Sequence, residues 1–129
     1  MVITQDGISL NENVPLKRDT ALVQRTLRSG QTVRFGGNVL VLGDVNPGAE
    51  IIAAGHVVVM GALRGVVHAG AEGDTSATVT ALTLLPTQIR IASCITRPPD
   101  GTNLPDAYRP EVARLLGGEV VIEKYVVCK

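Results

Sequence analysis

Aromatic side chains are nearly missing from this chain of 129 residues, which has one phenylalanine, two tyrosines and no tryptophan. Phe35, Tyr108 and Tyr125 are too few and too scattered to build stacking platforms for single-stranded nucleic acid or carbohydrate. Net charge is missing too, because twelve lysines and arginines balance twelve aspartates and glutamates. That balance gives no overall electrostatic reason to expect nucleic acid or an anionic membrane as a direct partner. The opening MVITQDGISL has no basic stretch followed by a long apolar run, so neither a signal peptide nor a spanning helix is expected there. Cysteine is confined to Cys94 and Cys128, a usage that suits a reduced cytoplasmic protein better than a disulfide framework.

Catalytic signatures are also lacking. There is no Walker-type phosphate loop, no G-x-S-x-G elbow and no H-E-x-x-H. The two histidines, His56 and His68, do not stand at metal-ligand spacing from Cys94 or a carboxylate, and both read as surface positions. Asp74 with Thr75 and Ser76 makes only a weak cation site. No enzyme activity, metal or cofactor is expected.

What is present is a period. From residue 19 to 93 an aliphatic residue or alanine returns every six positions, at Ala21, Leu27, Val33, Val39, Val45, Ile51, Val57, Leu63 and Ala69. The same stretch repeats at eighteen, with Gly37 over Gly55, Val39 over Val57, Val41 over Val59, Gly43 over Gly61 and Val45 over Leu63. Three similar sides per coil predict an all-β triangular solenoid of about four coils. Stacked strands place equivalent residues about 4.8 Å apart. The pattern therefore predicts one inward ladder of Leu27, Val45, Leu63 and Leu85 and another of Val33, Ile51, Ala69 and Ile91. Beyond residue 72 the step becomes twenty-two, from Val57 to Val79 and from Val67 to Ile89. Four residues are thus inserted at a corner, read as 71–77, where Gly73, Asp74, Thr75 and Ser76 can form a protruding turn.

The chain divides into a polar lead over 1–18, the solenoid over 19–95 and a segment over 96–129 that packs on it. In that last part a proline-rich stretch is expected to be irregular. Residues 110–116 are expected to form a short helix ended by Gly117 and Gly118, and 119–127 a final strand.

The three sides differ in what points outward. Two carry polar or small residues, Arg28, Asn46 and Arg64 on one and Thr32, Glu50, His68 and Arg90 on the other. The third carries Leu22, Leu40, Val58 and Thr80, then Gln24, Leu42, Met60 and Leu82. A strand apolar on both faces needs cover on both. A two-fold dimer through Leu22, Leu40, Leu42, Val58, Met60 and Leu82 is the expected cover, with the C-terminal strand folding back over them as the alternative. Arg28 opens the corner Arg28-Ser29-Gly30-Gln31, and Arg64-Gly65 lies two coils on in the same column, about 10 Å away. With Asp74 near by, the two guanidiniums read either as a docking patch for a partner of complementary charge or as solvated surface.

Those same segments carry a resemblance. R-S-G-Q at 28–31, DVNPGAEIIAAG at 44–55, M-G-x-L-R-G at 60–65 and A-G-A-x-G-D at 69–74 occur in order, and over about residues 26–95 the chain resembles the C-terminal domain of the MinC family, septum site-determining cell-division inhibitors of bacteria. The resemblance implies a right-handed triangular β-helix and a homodimer formed through one solenoid face. It implies docking onto ATP-bound MinD, a membrane-associated ATPase, so that the membrane is reached only indirectly, from the cytoplasm, through MinD. It also implies antagonism of FtsZ polymers away from midcell, and no enzyme activity. Carried onto this chain, the MinD-binding positions are Arg28, Ser29, Gly30, Gln31, Arg64, Gly65 and Asp74. Full-length members carry an N-terminal domain of about a hundred residues, well above the lower end of domain size, where this sequence has a short polar lead; direct inhibition of FtsZ polymerisation is not expected of such a chain alone.

Two other classes share a triangular solenoid. Hexapeptide-repeat acyltransferases would make His56 or His68 a general base, but so few coils offer little wall for a coenzyme A group. Bactofilin-like cytoskeletal proteins polymerise end to end, which requires bare coil ends.

Overall fold

The computed structural model describes residues 19–97 and 109–125. The polar lead, the proline-rich stretch 98–108 and Cys128 lie outside the described residues. Eleven strands follow one another: β1 (Thr20–Val23), β2 (Thr32–Phe35), β3 (Asn38–Val41), β4 (Glu50–Ala53), β5 (Val57–Leu63), β6 (Val66–Ala69), β7 (Val79–Leu84), β8 (Gln88–Ile91), β9 (Cys94–Thr96), β10 (Glu111–Leu116) and β11 (Glu119–Lys124). They form a six-stranded sheet, β1-β3-β5-β7-β10-β11, and a five-stranded sheet, β2-β4-β6-β8-β9. The third side of each coil is a single parallel bridge, Leu27 to Val45 and Val45 to Leu63. From β1 to β8 successive strands alternate between the two sheets, which is the triangular solenoid that the six-residue step predicts.

Strand alternation fills the interior. Val39, Val41, Val57, Val59, Val79 and Ala81 enter from the six-stranded sheet, Ile51, Ala53, Val67, Ala69, Ile89 and Ile91 from the five-stranded one, and Leu27, Val45, Leu63 and Leu84 from the third side; all are buried. No polar or charged residue is buried among the described ones. β-Branched side chains suit both the pleat and the narrow cross-section, where a longer chain would have no partner-free space to enter.

The ladders differ in detail from the periodic expectation. Val33 pairs with Ile51, Ile51 with Val67 and Val67 with Ile89, so Val67 holds the position expected for Ala69. Leu84, not Leu85, lies over Leu63, because β5 bulges between Val59 and Ala62. The register advances by eighteen from Val39 to Val57, by sixteen from Ile51 to Val67 and by twenty-two from Val57 to Val79. The corner after Leu63 is therefore two residues shorter than the one above it, and the corner after Ala69 six longer. The apparent insertion of four is the net of these two changes.

The C-terminal part also differs. Residues 111–116 form a strand, not a helix, and β10 joins β11 through Gly117 and Gly118, whose φ angles are 61° and 82°. Two consecutive positive φ values make the two-residue turn that matches the twist of a hairpin. β10 pairs antiparallel with β7, Ala113 beside Val79, so the hairpin prolongs the six-stranded sheet and leaves its apolar outer face uncovered. Leu115, Val120 and Ile122 turn inward against the core and close the C-terminal end of the solenoid.

Candidate functional site

The corner that carries Arg28 is shaped by its own backbone. Gln31 N–H donates to the Arg28 carbonyl at 3.0 Å, and Arg28 N–H donates to Gln31 Oε1 at 2.8 Å. Between them Gly30 has φ of 88°, a left-handed conformation that a side chain at that position would strain. Its N–H donates to the Gly48 carbonyl of the next coil at 2.9 Å. Gln31 and Gly30 thus position the turn, while Arg28 and Ser29 are exposed on it. The R-S-G-Q string divides into two residues that make the turn and two that the turn presents.

Arg64 follows Leu63 as Arg28 follows Leu27, and the bridges from Leu27 to Val45 to Leu63 put the two arginines in one outward column with Asn46 between. Both arginines are exposed. Gly65 is a different matter. It is buried, and a β-carbon there would strike the Ala49 carbonyl oxygen and come within 2.8 Å of the Asn46 carbonyl oxygen. This is where the corner is two residues short, and only a residue without a side chain lets the chain pass so close to the coil above. Gly65→Ala should lower stability by about 1–3 kcal/mol and the melting midpoint by several degrees, as calorimetry would record. Its effect on any partner would follow from that damage.

Asp74 does not join the two arginines. It sits in the long corner 70–78, at the other end of β6, a strand of four residues that spans roughly 13 Å. Its Oδ1 accepts from Ser76 N–H at 2.9 Å and from Ser76 Oγ at 2.6 Å, which folds the turn. Arg28 and Arg64 line one edge of the five-stranded sheet and Asp74 the other, so the three residues frame a face instead of forming a cluster.

That face carries side chains the periodic reading had misplaced. Because of the sixteen-residue step, the outward rows are Thr32, Glu50, Val66 and Gln88, and Arg34, Ile52, His68 and Arg90. Arg90 pairs in turn with Ile95 of β9. His68 Nε2 lies 2.9 Å from the Ala92 carbonyl oxygen, so that nitrogen carries the proton. His56 Nδ1 is 3.0 Å from the Thr78 N–H and must act as acceptor there. Both rings are half-buried and serve as braces. Neither was legible as such, because their partners stand more than twenty residues away across the irregular corner.

On the six-stranded sheet Leu22, Leu40 and Val58 form one outward row that continues to Thr80 and Val112. Leu22, Leu42 and Met60 are exposed, and Leu40, Val58 and Leu82 half-buried. The geometry thus offers two separate surfaces: an apolar sheet face and, around the solenoid from it, a polar face bounded by Arg28, Arg64 and Asp74. Among the described residues no three His, Cys, Asp or Glu side chains stand together as a metal site.

Known proteins share both the sequence and the shape. Residues 21–125 match the family model described as septum formation inhibitor MinC, C-terminal domain. A probable septum site-determining protein MinC of Heliobacterium modesticaldum is 59% identical over 106 residues, covering 82% of this chain and 36% of that protein. Its counterpart in Acetivibrio thermocellus is 56% identical over 101 residues, covering 78% and 44%. The chain thus spans less than half the length of these two relatives. Among solved structures, a chain of the MinC:MinD cell division protein complex of Aquifex aeolicus superposes with a TM-score of 0.79 at 38% identity, covering 85% of this chain and 89% of that one. On sequence and fold together, this chain belongs to the family of the MinC C-terminal domain.

Proposed function

We propose that this chain is the docking and dimerisation module of a septum-site inhibitor: it pairs through its apolar sheet face, binds MinD in the ATP-bound state through the Arg28 and Arg64 edge, and is thereby held at the inner face of the membrane, where FtsZ ring formation is blocked at wrong sites. The observation that carries this reading is the likeness to a chain of the MinC:MinD complex over most of both molecules, joined to the exposure of the two arginines in one column. Guanidiniums held outward on a closed turn are suited to paired hydrogen bonds with carboxylates of a partner. Arg28, Ser29 and Arg64 are the contacting residues in this reading, Gly30, Gln31 and Gly65 shape them, and Asp74 meets the partner at the far edge. A two-fold dimer presents the set twice, which multiplies affinity for a partner concentrated on a surface.

The two competing classes fit less well. A general base must be open to its acyl acceptor, whereas both rings are half-buried and braced against neighbouring segments, His68 Nε2 on the Ala92 carbonyl and His56 Nδ1 on Thr78. End-to-end polymers need bare coil ends, and the β10–β11 hairpin closes one of them. The deciding experiment is capture of MinD by the immobilised chain with ATP or ADP. Binding in ATP at least tenfold stronger than in ADP is expected; equal capture in both, or none, would reject the proposal.

A further inference from the structure

The arginine edge holds a side chain with no task in the fold. Asn46 stands between Arg28 and Arg64 in the outward column, fixed there by its N–H donating to the Leu27 carbonyl at 2.9 Å and by Arg64 N–H donating to the Val45 carbonyl at 2.7 Å. It opens a turn built like the one in the coil above: Ala49 N–H donates to the Asn46 carbonyl at 3.0 Å, and Gly48 has φ of 88°. Gly30 N–H bonds the Gly48 carbonyl, and a β-carbon at Gly48 would strike Ser29, so the two turns stack in direct contact. Four other half-buried amide or carboxylate side chains at the corners are spent on the chain itself. Gln31 accepts from Arg28 N–H at 2.8 Å, Asp44 from Ala62 N–H at 2.8 Å, Asn38 from His56 N–H at 2.9 Å and Asp74 from Ser76 N–H at 2.9 Å. An asparagine that opens a turn ordinarily bonds the backbone two residues on. Asn46 does not: among the described residues its half-buried carboxamide makes no hydrogen bond. No buried side-chain nitrogen or oxygen among them lacks a partner, so this carboxamide reaches the surface.

We infer that Asn46 is a specificity-determining contact of this edge, reading an uncharged hydrogen-bonding group of the partner that lies between two of its carboxylates. Its role rests on the docking reading of Arg28 and Arg64. Coils spaced at about 4.8 Å put the two arginine positions about 10 Å apart, with Asn46 midway. Guanidiniums alone attract any surface that carries acids at that spacing. A carboxamide donates and accepts at once, and its complement is a peptide unit or a second carboxamide. An aliphatic group seated there would desolvate the amide and leave it unpaired, which is costly. Discrimination between partners needs such a penalty as well as an attraction. The arginines supply the attraction, and Asn46 separates the right acidic surface from the others. The stacked turns hold its backbone in place before contact, so little order is lost on binding.

The test is titration of MinD·ATP against the chain at low and at physiological salt, with the parent, Asn46→Leu, Asn46→Asp, and Arg28→Glu with Arg64→Glu. Leucine nearly matches asparagine in shape and removes only the hydrogen bonds. Asn46→Leu should weaken binding at least about tenfold, with the parent's salt dependence because no charge has changed. Asn46→Asp should weaken it at least about a hundredfold, since the new carboxylate neutralises the two guanidiniums and repels the partner's acids. Both should melt with the parent, because no hydrogen bond within the chain is lost. Parent-like affinity of Asn46→Leu, while the double arginine variant has lost binding, would overturn the inference and leave the docking reading standing. A double arginine variant that binds like the parent would overturn both. Weaker binding by Asn46→Leu together with a lowered melt, or with an altered salt dependence, would assign Asn46 to shaping the turn and also overturn the inference.

Discussion

Val57→Asp should leave no cooperatively folded protein. Val57 is fully buried, paired with Val39 in the coil above and Val79 in the coil below, at the centre of the narrow interior. Replacing it removes the transfer energy of a buried valine, about 1.5–3 kcal/mol, and puts a carboxylate among aliphatic side chains with no donor near it. An unpaired buried charge costs several kcal/mol even after it takes up a proton. The sum reaches at least about 5 kcal/mol, as large as the whole stability of many domains of this size. The far-ultraviolet spectrum should lose its β signature, and no sigmoidal urea transition should be seen. A cooperative melt near that of the parent would refute the register.

One position on, the outcome should be the opposite. Val58 points outward from the same strand, beside Leu40 and Thr80, and Val58→Asp should fold with a nearly unchanged melt. Its effect should fall on the dimer. In the proposed dimer two-fold symmetry would place two new carboxylates in one apolar interface, and the dissociation constant should rise at least about a thousandfold, or about 4 kcal/mol. Light scattering at micromolar concentration should report the proposed dimer for the parent and a monomer for the variant. A dimer that persists would remove this face from the assembly. The contrast between adjacent valines also tests strand alternation more sharply than either variant does alone.

Much of the fold was legible because the core needs a single residue type at a single interval. Leu27 and Val45, each between polar residues, and Val79, between two threonines, have no apolar neighbour that could take their place in the column. Legibility fails where two adjacent residues are both apolar. Val66 and Val67 allow either register at the short corner, and only the pairing of Val67 with Ile51 decides between them. Leu84 and Leu85 are ambiguous in the same way, and the bulge at Met60 and Gly61 selects Leu84. The segment EVARLLGG misleads for another reason. Glu, Ala, Arg and Leu all favour helix, and Gly117-Gly118 serves a helix end as well as a hairpin turn. The free edge of β7 overrides that preference by pairing with β10.

The candidate site divides along similar lines. Arg28 and Arg64 were readable as one column because the step is a regular eighteen along Leu27, Val45 and Leu63. The row of Arg34, His68 and Arg90 was not, since it runs through the sixteen-residue step that sequence periodicity had averaged away. Gly65 was assigned to partner binding by its place in a motif, whereas its closeness to Ala49 gives it a packing role. Motif membership alone does not distinguish a residue that meets a partner from one that holds the chain in shape.

If the arginine edge is the docking surface and the apolar face is something else, docking and dimerisation should fail separately. Titrating MinD·ATP against Arg28→Glu with Arg64→Glu, with the mass of the free variant measured by light scattering on the same sample, tests this most directly. An intact dimer with the parent's melt is expected, with MinD affinity reduced at least about a hundredfold by opposing charges across the docking contact. Undiminished affinity, or a loss that appears only together with dissociation of the dimer, would contradict it.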